Sequence, residues 1–233
     1  MLNMTFNEIY ETLLDTYSYQ GWWPIITFKG NNPTKTGSVN GYHPGDYSFP
    51  RNENEKYEII LGAVLTQNTS WPQAEKSLEN LQKTADLNPG KILEKDEEEI
   101  KEAIKPSGYY NQKYDYLINI TQFYLTLGSE TPRRKKLLEV KGIGPETADS
   151  ILLYAYNEKE FVVDAYTRRI FSYLGYISEN DSYTKIKKEF ESNFKGDTGE
   201  YQEYHALIVE HAKNYYSKKP YGINDNILNK FKL

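Results

Sequence analysis

The sequence contains no cysteine among its 233 residues. That excludes disulfides, thiolate zinc sites, a cysteine-ligated iron–sulfur cluster and a cysteine nucleophile together. Histidine is scarce as well. Of the three, His205 and His211 stand six apart and off a common helical face, so no histidine cluster completes a zinc site and packing is the role expected of both. No segment approaches the roughly 20 apolar residues needed to cross a bilayer. The opening stretch, MLNMTFNEIYETLLDTYSYQ, has neither a basic start nor a long apolar run, so no signal peptide is expected and an intracellular protein is. Nor is there an excess of positive charge: 28 Lys and Arg against 33 Asp and Glu leave a formal charge of −5. That balance argues against a uniformly basic coat and leaves room for a local basic face.

What the sequence does carry is helical periodicity. Residues 57–66 are apolar nearly all round, as in a helix buried on every side. Ser70 with Gln73 three residues on has the pattern of a capping box, ahead of a helix whose face is Trp71, Ala74, Leu78 and Leu81. Residues 96–104 read as a short acidic helix ended by Lys105-Pro106-Ser107-Gly108. From Tyr110 to Thr126 the stripe is Tyr114, Leu117, Ile118, Thr121 and Leu125. Thr131 is placed to cap a further helix with Pro132 at its first position, and Pro145 opens the next. Helices are also predicted over 165–174, 181–195 and 200–217. Alternation at period two is confined to Phe161-Val162-Val163, too short for a sheet, so the fold class is all-α. Residues 29–55, with four Gly, three Pro and five Asn, break the helical pattern and read as a surface loop insertion.

The stretch 131–156, TPRRKKLLEVKGIGPETADSILLYAY, is the most informative: a helix, a tight Lys141-Gly142-Ile143-Gly144 turn and a second helix opening at Pro145. Two glycines one residue apart let the backbone turn sharply and approach a ligand. Unpaired N–H groups and the positive end of the helix dipole face the same spot, which favours an anion. Arg133, Arg134, Lys135, Lys136 and Lys141 put five cations within nine residues, against the single acid Glu139. A nucleic-acid phosphate is the anion these features favour over a plain αα-hairpin with a glycine turn.

Val140-Lys141-Gly142-Ile143-Gly144-Pro145-Glu146-Thr147-Ala148-Asp149 resembles the helix-hairpin-helix of the endonuclease III superfamily of DNA base-excision glycosylases. Downstream, Phe161-Val162-Val163-Asp164-Ala165-Tyr166 resembles that superfamily's apolar run ending in the catalytic aspartate. Upstream, Gly62 to Thr69 and Pro106 to Lys113 look like its two DNA-wedge loops. With Gly21-Trp22-Trp23-Pro24, the chain is most similar to the bacterial 3-methyladenine DNA glycosylases of the endonuclease III-like kind, over about residues 20–220 without the 29–55 insertion.

The resemblance implies a two-lobed architecture. A six-helix barrel domain would span about 56–157, and residues 1–55 and 158–233 together would form the other lobe. It also implies double-stranded DNA with a damaged base as partner, bound by a monomer. Asn68 and Tyr109 take the wedge positions, where an amide can hydrogen-bond an orphaned base and a tyrosine ring can stack between base steps. Lys141, Gly142, Gly144, Glu146 and Thr147 fall where the hairpin meets DNA. Trp22, Trp23 and Pro24 match an aromatic base pocket, suited by cation–π attraction to a cationic alkylated purine. Asp164 is the catalytic carboxylate, stabilising the oxocarbenium-like sugar and orienting water; its position is also that of a helix N-cap.

Superfamily members that cut the DNA backbone use a lysine where this chain has Glu146, and a glutamate cannot form an imine; a monofunctional enzyme is therefore implied. The backbone carbonyls of Leu138, Val140 and Ile143 match a monovalent-cation site. No iron–sulfur cluster is implied, since the corresponding loop near 217–220 has no cysteine. In the resembling glycosylase a lysine lies two residues beyond the histidine of the penultimate helix; here Leu207 follows His205 at that distance. Rival readings are a glycosylase for a deaminated or oxidised base, and a non-catalytic helix-hairpin-helix DNA-binding protein.

Overall fold

The computed structural model describes residues 2–33 and 40–233, which contain helices and no strand. Eleven α-helices lie among them: α1 (Leu2–Tyr17), α2 (Glu53–Leu65), α3 (Trp71–Ala85), α4 (Pro89–Glu94), α5 (Glu97–Ile104), α6 (Tyr110–Leu127), α7 (Arg134–Glu139), α8 (Pro145–Ser150), α9 (Ala165–Leu174), α10 (Tyr183–Asn193) and α11 (Thr198–Tyr215). A π-helical turn, Ile151–Ala155, continues α8, and all five of its residues are buried. No helix among the described residues is long and apolar enough to cross a membrane.

The uninterrupted apolar run of α2 has a simple cause: two cores meet on it. Tyr57, Leu61 and Leu65 pack with Ala74, Leu78 and Leu81 of α3, Ile100 and Ile104 of α5 and Leu117 of α6. Its other side, Ile60, Ala63 and Val64, packs with the π-helical turn and with a larger core built from α1, α9, α10 and α11. Neither face meets water, so the periodic polar positions of a surface helix are missing.

Several local expectations shift. Ser70 is the N-cap of α3 but its side chain makes no capping bond, because Pro72 in the first turn lacks an N–H; Gln73 N donates to the Ser70 carbonyl at 3.1 Å instead. The helix after Gly128 starts at Arg134, not at Pro132, with Arg133 at its N-cap. On α6 the buried stripe is Lys113, Leu117, Ile120 and Thr121, while Leu125 is exposed.

Residues 29–55 are only in part a surface segment. Tyr42, His43 and Phe49 are buried, and α2 begins within the stretch, with the Asn52 side chain accepting Glu55 N at 3.0 Å. Residues 34–39 of that expected insertion lie outside the described residues. At the other end of the chain, Tyr216, Asp225 and Leu228 are buried and fasten the tail to α11.

Candidate active site

The hairpin between α7 and α8 is held from behind by side chains of two other segments. Gln67 Nε2 donates to the Gly142 carbonyl and to Thr147 Oγ1, each at 3.1 Å. Asn119 Nδ2 donates to the Lys141 carbonyl at 3.3 Å. The Tyr116 ring lies against Gly142, whose φ of +98° and lack of a Cβ are both required: a β-carbon there would collide with the ring. Gly144 differs. Its φ of −84° suits any residue, and a β-carbon would meet nothing within 4 Å. The protein's own packing does not demand glycine at 144; open space in front of the α8 N–H groups does not exclude a ligand from it either.

This face opens into a depression of about 540 Å³. Asn68, Lys141, Gly142, Gly144, Glu146 and Thr147 line it together, with Leu138, Val140 and Ile143 on the same wall. Asn68 reaches it from a left-handed turn, φ +53°, after α2. Tyr109 stands outside the depression, 69% exposed and also left-handed, at the N-cap of α6. Lys113 ties the two turns to each other: buried, it donates to the carbonyls of Leu65 and Ser107, both at 2.7 Å, and burial pushes its ammonium down to about 8.

The basic cluster is less free than its sequence suggests. Arg134 forms a bidentate pair with the fully buried Asp149, at 2.6 and 3.0 Å, and Lys187 and Tyr183 reach the same carboxylate. Lys136 pairs with Glu139 at 2.7 Å. Among the described residues, Arg133, Lys135 and Lys141 form no ion pair.

Asp164 caps α9. Its Oδ1 accepts both the backbone N–H and the hydroxyl of Thr167, at 2.7 and 2.8 Å. Burial pushes this carboxyl up, but the neighbouring His205 and the Thr167 donors outweigh burial and hold it below the ordinary carboxylate range. The side chain keeps 13% of its surface open. Asp164 is not itself on the wall of the hairpin depression, but its charge acts on Glu146, which is. Glu146 stands exposed at the rim, and its dense surroundings and then the Asp164 charge push its carboxyl up to about 7, against the pull of Arg168.

The three aromatic-segment residues part company. Trp22 is half-buried and meets the His205 ring edge-on, centroids 5.6 Å apart and planes at 89°; His205 Nε2 is 3.8 Å from Asp164 Oδ2. Trp23 and Pro24 point into the core. Trp23 is wedged between Trp71 and Tyr154 over Gly62, where a β-carbon would come within 2.9 Å of its indole nitrogen. Two buried carboxyls clamp this segment at its ends. Glu203 of α11 accepts Gln20 N, and Glu58 of α2 accepts Ile26 N at 2.6 Å. Burial pushes Glu203 up to about 7 and Glu58 to about 8. His43 Nε2 adds a contact to the Trp23 carbonyl at 2.9 Å. Leu207, two beyond His205, is fully buried in the core.

Gln67, Tyr116, Lys113, Glu58, Glu203 and Tyr154 are thus neighbours of the candidate residues to which sequence reasoning assigned no role, and His205 was expected only to pack. Gln67 and Lys113 stand inside the wedge-like motifs, which was the one signal available for them. The others act across long sequence separations.

The model of the HhH-GPD superfamily of base excision DNA repair proteins matches residues 61–195. A candidate DNA repair glycosylase of Methanocaldococcus jannaschii is 42% identical over 223 residues, 91% of this chain and 89% of the relative. Among solved structures, the H. pylori 3-methyladenine DNA glycosylase bound to 1,N6-ethenoadenine is 33% identical, with a TM-score of 0.62 over 68% of this chain and 85% of that one. A trapped covalent endonuclease III–DNA intermediate shares the fold, TM-score 0.71 at 15% identity, over 93% of this chain and 89% of that one. The residues 61–195 that the family model matches include the glycine turn, Glu146 and Asp164, and the chain belongs to the HhH-GPD superfamily of base excision DNA repair proteins.

Proposed function

We propose that this protein is a monofunctional DNA glycosylase that hydrolyses the N-glycosidic bond of an alkylated purine in double-stranded DNA and leaves an abasic site. The observation that carries this reading is Asp164: a mostly buried carboxylate at the N-cap of α9, held below the ordinary carboxylate range, whose charge acts on Glu146 at the wall of the hairpin depression. The likeness to the H. pylori 3-methyladenine glycosylase supports the choice of base. A helical barrel over about 56–157, set against the N- and C-terminal segments, is the domain division that goes with it, and the enzyme acts as a monomer.

A base in a duplex hides its glycosidic bond, so the nucleotide must leave the stack. Asn68 and Tyr109 enter the vacated stack; both are exposed on left-handed turns that Lys113 ties together. Gly144, Thr147 and Lys141 receive the phosphate, at the end of α8 where amide N–H groups are unpaired. Leu138, Val140 and Ile143 share that wall, and their backbone carbonyls would suit a monovalent cation, which would add positive charge toward the phosphate. Val140 O already accepts Ile143 N at 3.0 Å, which fixes the turn and leaves its second lone pair for such an ion.

Trp22 offers its exposed part to the everted base. The C1′–N bond then breaks with its electron pair leaving on the base, which neutralises the charge that alkylation placed there, so no acid is needed. Asp164 faces the positive sugar, and water adds to C1′ as its proton passes to the carboxylate. Glu146, in the place of an imine-forming lysine, stops the reaction at hydrolysis.

A base-release screen tests the proposal. Duplexes carrying methylated, deaminated and oxidised bases are incubated with the protein and read by alkali cleavage. Release is expected from the methylated purine, with strand breaks appearing only after alkali and no borohydride-trapped adduct. Release confined to a deaminated or oxidised base would replace the substrate; a trapped adduct would overturn the Glu146 argument; no release from any duplex would leave a DNA-binding protein.

A further inference from the structure

We propose that Tyr154 and His205 form a positioning relay for Asp164, in which His205 carries its proton on Nε2 and presents that N–H to the carboxylate oxygen the helix cap leaves free. The inference deepens the hydrolytic reading above and rests on it for its catalytic part.

The assignment follows from counting donors and acceptors. His205 is 95% withdrawn from solvent, with 5% of its surface exposed. Its Nδ1 lies 2.7 Å from the Tyr154 hydroxyl. Its Nε2 is buried with no hydrogen-bond partner, and the nearest charged atom facing it is Asp164 Oδ2 at 3.8 Å. A neutral imidazole has one donor nitrogen and one acceptor nitrogen. A bare lone pair on Nε2 would face an ionised carboxylate across a dry gap, and two acceptors repel there; an N–H in the same place is attracted. The proton therefore sits on Nε2, and Nδ1 must accept. Tyr154 supplies the donor. Burial, then the charges of Glu203 and Asp164, push its hydroxyl far above its ordinary value, so it keeps its proton. It has two acceptors within reach, His205 Nδ1 at 2.7 Å and the Gln202 carbonyl at 3.1 Å, and the shorter contact is the one the assignment requires.

The two oxygens of Asp164 are then differently employed. Oδ1 is saturated by Thr167. Oδ2 has His205 behind it at a distance of attraction rather than a hydrogen bond, so it keeps its capacity to meet a sugar cation or a water proton. Trp22, edge-on to the imidazole, fixes the ring plane. His205 touches neither base nor sugar in this arrangement. It acts through Asp164, by holding the anion and its direction. The other charged groups around the pair are few: Glu146 on α8 faces Asp164, Arg168 on α9 acts on Glu146, and Glu203 on α11 faces Tyr154.

Two measurements decide it. Long-range ¹H–¹⁵N correlation of the free protein is expected to show His205 as the Nε2–H tautomer, and an Nδ1–H tautomer would overturn the proposal whatever the enzyme does. Single-turnover release of methylated purines from dimethyl sulfate-treated duplex is then followed against pH. His205→Leu is expected to lower the rate about 10- to 100-fold, as removal of a supporting partner does, and to move the acid limb to higher pH. Binding to a duplex with a tetrahydrofuran abasic analogue should be unchanged.

His205→Gln, whose amide N–H reaches toward the Nε2 position, is expected to recover much of the loss. Tyr154→Phe, which keeps the ring in the core and removes the donor to Nδ1, is expected to slow release several-fold while Asp164 keeps the proton on Nε2. A His205→Leu variant with the wild-type rate and profile, or a Tyr154→Phe variant with the wild-type rate, would overturn the relay. Absence of release by the wild type would fall on the glycosylase reading alone, because the tautomer is measured without DNA.

Discussion

His205 and His211 lie on the same helix and are both buried, yet they are accounted for in opposite ways. Every polar atom around His211 is paired. Tyr17 meets Nδ1 at 3.0 Å and Asp225 Oδ2 meets Nε2 at 2.9 Å; Tyr216 donates to the same Oδ2, and Asp225 Oδ1 accepts the amides of Ile227 and Leu228. Neither side chain of the His211–Asp225 pair has any exposure. That closed network fastens the C-terminal tail to α11. His205 instead leaves one nitrogen unmatched, 3.8 Å from the Asp164 carboxylate. A native core pairs nearly all of its buried polar groups; the side-chain atoms left open among the described residues are His205 Nε2 and the indole nitrogens of Trp23 and Trp71, and of these His205 Nε2 faces a carboxylate.

Breaking the closed network should produce the largest stability loss. Removing one partner of a buried pair typically costs about 3–5 kcal/mol, so Asp225→Ala is expected to lower the unfolding free energy from denaturant titration by that order, whereas His205→Leu should fall well short of it. The acid limb sharpens the contrast. Burial pushes the Asp225 carboxyl up, but His211, the Leu228 amide and Tyr216 outweigh it and hold it below its ordinary value. A depressed folded-state value means that the contribution is present above pH 3.8 and is lost as pH falls through the folded value below it. Asp225→Asn should flatten the loss of stability over that acid range; an unchanged acid slope would remove the pair from the account.

The hairpin repeats the division in its two glycines. Gly142→Ala must place a β-carbon at φ +98° against Tyr116 and is expected to destabilise by about 1–3 kcal/mol. Gly144→Ala meets no atom, so its thermal midpoint should match the wild type while affinity for an abasic-analogue duplex falls several-fold. Equal effects of the two substitutions on stability would show that position 144 serves packing after all.

The smallest effect is expected at Glu203. Burial raises its carboxyl to about 7, so its folded-state value lies above the unfolded one, and stability present below pH 4.5 declines as pH rises through 7. Glu203→Gln should therefore raise the melting temperature at pH 8 more than at pH 5. A shift of the same size at both would mean that the hydrogen bonds to the Gln20 segment, rather than ionisation, dominate.

The helices, the glycine turn and the cap at Asp164 were legible because each is written within a few consecutive residues. α9 runs over the predicted 165–174, and the all-round apolar stretch in α2 is buried as expected. Where a local signal failed, another local feature had intervened, as Pro72 did at the Ser70 cap. The remainder of the site was not legible because its parts meet only in three dimensions. Tyr154 and His205 are 51 residues apart, and Gln20 and Glu203 are 183 apart. Arg134 looked like one of five free cations until the fold delivered Asp149 and committed it to the interior. No spacing in the chain distinguishes His205 from His211; only the partners brought by other segments do.

The central claim is that Asp164, kept ionised at the N-cap of α9, carries base release. Asp164→Asn preserves the shape and the cap's acceptor oxygen while removing the charge. Single-turnover release of methylated purines should fall by about 10²- to 10⁴-fold, with binding to the abasic-analogue duplex retained; release at the wild-type rate would contradict the account.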